Sequence, residues 1–172
     1  MTSLAFFLIL IIFVLLIPVI LLLMLLIEAY EFLRRLWLGF MVKQKWYPRK
    51  KYLLFVYSNS PNWKEYIETN ILPIIADYAI VINWSERSHW NWKRKPLELK
   101  VFKHWTHVSR YSYKAKKKWT GNEFNPVAIT FIPWWKSKVF RFWQPFKDLK
   151  HGKEKPLKEM ENNLYKVLEA LK

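Results

Sequence analysis

From Leu4 to Ile27 the chain runs for 24 residues without one charged, amide or hydroxyl side chain. About 20 apolar residues in a helix cross the hydrocarbon core of a bilayer. The run therefore predicts a transmembrane helix, and the Pro18 within it is tolerated where the freed carbonyl finds another partner. A cleavable signal peptide would show a basic start, an apolar stretch of about 7–15 residues and a small-residue cleavage site. None of these is present, so residues 1–27 are expected to stay as an anchor. Beyond it, Leu33, Leu36, Trp37, Phe40 and Met41 recur at i, i+3, i+4, i+7 and i+8, while Arg34, Arg35 and Lys43 lie off that stripe. Residues 28–50 are thus expected either to lie as an amphipathic helix in the headgroup layer or to continue the membrane helix against another subunit. Pro48, followed by Arg49-Lys50-Lys51, marks the break before a globular domain.

From residue 51 onward the period switches repeatedly. Tyr52 to Tyr57 is a short apolar run that predicts a buried strand. Ser58-Asn59-Ser60-Pro61 reads as a turn into a helix, with Ser60 as N-cap, Pro61 as first helical residue and Trp63, Tyr66, Ile67, Ile71 and Ile74 on its inner face. Tyr78 to Trp84 is strand-like again, and Ser85 to Pro96 reads as a loop. Leu97, Val101, Phe102 and Trp105 suit a short helix, with a strand over Glu98 to Lys103 as the alternative. A basic loop over 106–125 leads to VAITFI after Pro126, and KVFRFW, Lys138 to Trp143, pairs with it as a hairpin. The stretch QPFKDLKHGKEKP is expected to be loop. Pro156 opens a last helix, with Leu157, Met160, Leu164, Val167, Leu168 and Leu171 on one stripe against lysines and glutamates.

The expected order after the anchor is β-α-β-α-β-β-α, in an α/β domain over residues 51–172. A β-α-β unit followed by a hairpin and a closing helix resembles the thioredoxin/glutaredoxin fold. In that fold a cis-proline precedes the first hairpin strand and faces the active-site turn, and here Asn125-Pro126 stands before VAITFIP. The resemblance implies a peptide-binding groove beside that proline. Its walls would be Ser58, Asn59, Ser60, Asn62, Trp63 and Lys64 together with Asn125 and Pro126. The Cys-x-x-Cys of the family is missing, because the chain contains no cysteine. Disulfide exchange requires a thiolate, so composition by itself excludes thiol redox catalysis.

Charge changes the picture further. There are 29 lysines and arginines against 13 acidic residues, a formal net charge of +16, and every charged side chain follows the apolar run. Lysine and arginine near a span stay on the cytoplasmic side, which predicts a cytoplasmic C-terminal domain. A domain of this charge is drawn to anionic lipid, nucleic acid or acidic proteins. Two segments interleave cations with rings. The first holds Arg87, Trp90, Trp92, Lys93 and Arg94; the second holds Arg110, Tyr111, Tyr113, Lys116, Lys117, Lys118 and Trp119. An anionic membrane surface, a protein partner and stacked nucleic-acid bases all suit such segments.

Candidate catalytic constellations are sparse. His104 and His107 stand three apart without a carboxylate at matching spacing, so no metal site is expected. Asp148 and His151 form an acid–base combination that serves Ser58 or Ser60 only if the fold brings them together. No glycine-rich phosphate loop is possible with three isolated glycines, and no cofactor is expected. The sequence therefore reads as a single-pass, redox-inactive binding or scaffold domain, an accessory subunit contacting anionic lipid and other membrane-complex subunits. A membrane-tethered nucleic-acid binder is the alternative, and a non-thiol enzyme comes third.

Overall fold

The computed structural model describes residues 3–89, 96–108, 125–132 and 137–170. The protein is a mixture of helix and sheet with one long apolar helix at its N-terminus. Contacts divide the chain into two compact units, residues 1–38 and 39–172.

Helix α1, Ser3–Trp46, continues without interruption through residues 28–46, and Pro18 lies inside it. Its described apolar side chains from Val14 to Ile27 stand exposed, as do Leu33 and Leu36. At about 1.5 Å per residue, the 24 apolar positions give roughly 36 Å of helix against a hydrocarbon core of about 30 Å. The helix is long and apolar enough to cross a membrane. A 3₁₀ turn, Tyr47–Arg49, ends it where Pro48 removes a donor, and Lys50 closes the turn with a left-handed φ of 55°.

In the second unit, β1 (Leu53–Tyr57) is central and buried along its whole length. It pairs in parallel with β2 (Ala79–Asn83) on one side and antiparallel with β3 (Val127–Thr130) on the other. Strand β4 (Lys138–Arg141) completes the order β2-β1-β3-β4. Successive side chains of a strand point to opposite faces, which divides the core. Leu53, Phe55 and Tyr57 pack with Ala128, Phe140 and Phe142 under a layer of helices. Leu54, Val56, Val127 and Ile129 are equally buried on the opposite face. There Trp105 and Trp46 both set an edge against Phe131, at 4.9 and 5.5 Å between ring centroids.

The helix following β1 departs from expectation in its start and register. Lys64–Tyr66 is α-helical, Ile67–Ile71 is a π turn and Leu72–Ile75 is α-helical again; together they form α2. The first helical residue is Lys64 and not Pro61, though Ser60 makes the bonds of a cap ahead of it. The Ser60 carbonyl accepts from the Trp63 and Lys64 amides, and its hydroxyl takes the Asn62 amide at 3.4 Å, so Pro61 to Trp63 form turns ahead of the first helical residue. In the π turn the Leu72 N–H reaches the Ile67 carbonyl, five residues back. Pro73 follows at once, bringing no N–H and a ring that crowds the preceding turn. The wider turn moves the inner face, so Ile67, Ile71 and Ile75 are fully buried while Ile74 is 55% exposed.

Residues Trp84–His89 form a 3₁₀ helix, where Trp84 was expected to end the strand and Ser85 to open a loop. Helix α3, Leu97–Val108, occupies the stretch for which a strand was the alternative, burying Leu99, Val101, Phe102 and Trp105. After β4 comes a helix where the sequence suggested loop: α4, Trp143–Lys150, followed by a turn at Gly152 with φ 77°. Phe146 sits on its inner side, and Gln144 Nε2 donates to Asp148 Oδ1 at 2.9 Å one turn on. Helix α5, Lys155–Glu169, buries the expected Leu157, Leu164, Val167 and Leu168. It also buries Glu161, contrary to the expectation that its glutamates face water, because Lys158 and Tyr66 close over that carboxylate.

Candidate functional site

The chain leaves β1 toward α2, which packs with the Leu53–Phe55 face of the sheet, and leaves β2 toward the segment that leads to α3. In open α/β sheets ligands sit outside the carboxyl ends of strands at such a point. The last β1–β3 pair is Val56 with Val127, so the exit toward Ser58 and the entry from Asn125-Pro126 share one end of the sheet. The Asn125–Pro126 peptide is cis.

At that end, polar residues from three segments hold one another. The Asn59 amide donates to Ser85 Oγ at 2.9 Å. Asn83 Nδ2 donates to Asn59 Oδ1 at 2.7 Å and to Glu86 Oε1 at 3.1 Å, while its Oδ1 accepts from the Ser85 amide at 3.1 Å. Every hydrogen-bonding atom of the Asn83 amide is thus used, and the exits of β1 and β2 are tied together. Tyr57, at the end of β1, donates to Glu68 Oε1 at 3.0 Å. Burial pushes the Tyr57 phenol up to about 12, with the Glu68 bond and the charges of Glu68 and Glu86 adding to the effect.

Beside this junction, Asn62 and Trp63 meet α4. Together with Trp143, Phe146, Lys147, Lys150 and His151 they line a cleft of about 280 Å³. Its walls are rings: Trp63 lies 6.2 Å from Phe146, and Lys147 Nζ sits 5.2 Å above the Trp143 ring. Its rim offers two ammonium groups, an imidazole and an amide, with no carboxylate among the lining residues. Trp63 Nε1 is buried without an acceptor among the described residues. Behind α2, Lys158 Nζ donates to Tyr66 Oη at 2.9 Å and to Glu161 Oε2 at 3.4 Å. The Tyr66 bond and the Glu161 charge both raise the Lys158 pKa. Tyr165 is pushed up to about 12, chiefly by burial and then by Glu161.

The fold thus gathers Ser58, Asn59, Ser60, Asn62, Trp63 and Lys64 at the expected end of the sheet. Only Asn62 and Trp63 among them wall the cleft. Asn125 and Pro126 arrive at the same end but are buried. Among the described residues no hydrogen bond joins the Asp148 carboxylate to His151; that carboxylate accepts from Gln144 instead. No group of three potential metal ligands forms among the described residues, and His104 is buried against Trp105. Of the basic-aromatic segments, Arg87 falls in the 3₁₀ helix, with its side chain outside the description. Trp90, Trp92, Lys93, Arg94, Arg110, Tyr111, Tyr113, Lys116, Lys117, Lys118 and Trp119 lie outside the described residues. The contribution of α4 was missed in the sequence. Its signal was the spacing of Trp143, Phe146, Lys147 and Lys150 at i, i+3, i+4 and i+7, in a stretch short enough to pass for loop. Comparison with protein-family models, with curated proteins and with solved structures gives no significant match to this chain.

Proposed function

We propose that the protein is a membrane-anchored binding subunit whose thioredoxin-like α/β domain recognises a protein partner rather than performing chemistry. The observation that carries this reading is the make-up of the sheet's carboxyl end. The amides and hydroxyls there are engaged with one another, and the accessible cleft next to them has aromatic walls and a cationic rim. Tryptophan and cationic side chains in a concave site suit recognition, where a few such residues carry most of the binding energy. The strand order β2-β1-β3-β4, with a parallel first pair and an antiparallel hairpin, supports the thioredoxin-like reading. The exposed apolar helix and the cations that follow it support anchoring with the domain on the cytoplasmic side. With a net charge of +16, the domain also lies against anionic lipid.

The test is purification of the tagged full chain from its membrane in mild detergent. Stoichiometric copurification of other membrane proteins is expected. The double substitution Lys147→Glu and Lys150→Glu should weaken it by about tenfold or more, as loss of a hot spot does. Oligonucleotide affinity that falls steeply with salt, without a protein partner, would instead establish the nucleic-acid alternative.

A further inference from the structure

The two edges of the sheet are built differently. Strand β4 opens with the exposed Lys138, and a charge on an edge discourages a further strand from adding there. Strand β2 reads Ala79-Ile80-Val81-Ile82-Asn83, with no charge, proline or glycine. Val81 is 39% exposed, and among the described residues nothing pairs with the outer edge of β2. A cleft of about 300 Å³ runs along it, lined among others by Ile80, Val81, Ile82, Glu86, Glu98 and Leu99. Such an edge is a template for pairing with another chain.

We propose that β2 is a dimerisation edge, occupied by β2 of a second copy running antiparallel about a two-fold axis at Val81. Two observations select this occupant. First, the strand is nearly its own reverse. The two-fold sets Val81 against the partner's Val81 and Ile80 against the partner's Ile82, so β-branched side chains, which pack well on a pleated surface, oppose one another. Second, the assembly closes. Each copy offers one such uncharged edge, so pairing ends at two, as an isologous interface requires.

Five residues of strand make a small contact beside the roughly 1,200–2,000 Å² of a stable interface. Confinement of both copies to one membrane supplies the missing concentration. That clause alone rests on the anchoring reading.

The absence of cysteine makes the test clean. Val81→Cys, Ile80→Cys and Ile82→Cys are introduced singly into the full chain and oxidised in membranes, with Ile74→Cys, 55% exposed on α2, as the collision control. In this register residue 81 faces its own copy at about 4.5–5.5 Å between Cα atoms, within disulfide reach. Residues 80 and 82 face each other, and each is about 8 Å from its own copy, beyond that reach. Val81→Cys should therefore give about tenfold more disulfide dimer than the control. Ile80→Cys and Ile82→Cys should dimerise only when coexpressed with each other. Equal yields at residues 81 and 74, efficient self-crosslinking at 80 or 82, or crosslinks to a different protein each overturn the proposal. Fractionation of the same samples reports anchoring separately, so a crosslinked but extractable chain would sink the anchor and leave the pairing standing.

Discussion

Tyr57 and Tyr165 carry protons that the fold holds more tightly than the unfolded chain does. Burial raises both phenols from the ordinary 10.0 to about 12, and carboxylates at Glu68 and Glu161 add to it. A raised pKa of this kind stabilises the fold fully below pH 10, and that stabilisation is lost as pH rises through about 12. Denaturant unfolding measured over this alkaline window should show stability falling with pH. Tyr57→Phe should flatten the fall while costing about 1 kcal/mol at neutral pH through the lost hydrogen bond. An unchanged alkaline slope in that variant would refute the assignment. None of this was legible in the sequence: Glu68 is eleven residues from Tyr57 on a different element, and only the docking of α2 on β1 brings them together. Glu161 is the same lesson in a helix. Its place beside the apolar stripe hid its burial: Lys158 is a local partner one turn back, but the Tyr66 that joins Lys158 there is supplied by tertiary packing.

Helix α2 illustrates how one backbone irregularity redistributes a core. Regular helical spacing from Ile67 and Ile71 points equally to residues 74 and 75; the π turn ahead of Pro73 chooses Ile75. Ile75→Ala should cost about 2–5 kcal/mol in urea unfolding, the usual result of emptying a buried aliphatic site. Ile74→Ala should stay within about 0.5 kcal/mol of the parent. The reverse order would mean that the helix runs without its widened turn. The strands were easier to read. β1, β2, β3 and β4 all fall within the runs that announced them: β1 and β3, buried along their whole length, need little beyond apolar composition, and β4 mixes basic and apolar residues. Helix α4 escaped because eight residues hold little more than two turns, too few for a periodic signal to rise above its proline and lysines.

At the scale of the whole molecule, the defining contrast is between the uncharged apolar run from Leu4 to Ile27 and the strongly cationic chain that follows it. Exposed leucine, isoleucine and valine from Val14 to Ile27 are costly in water and favourable in lipid. The full chain should therefore remain in the membrane pellet after washing with high salt and alkaline carbonate. The pair Leu16→Arg and Leu22→Arg, each opposing insertion by about 2.5–3.5 kcal/mol near the helix centre, should release it or abolish its accumulation. Complete extraction of the unaltered chain by salt alone would mean that charge, not the helix, holds it at the surface.

The apolar span, the cationic balance, the strand positions and the absence of cysteine were determined by the sequence alone. Each depends on a local run or on bare composition. The tertiary structure decided which strand ends meet, that Asn83 ties the exits of β1 and β2, that α4 walls the Trp63 cleft and that, among the described residues, nothing pairs with the outer edge of β2. Those features arise from register and docking between segments far apart in the chain, and no local pattern encodes which surfaces will meet.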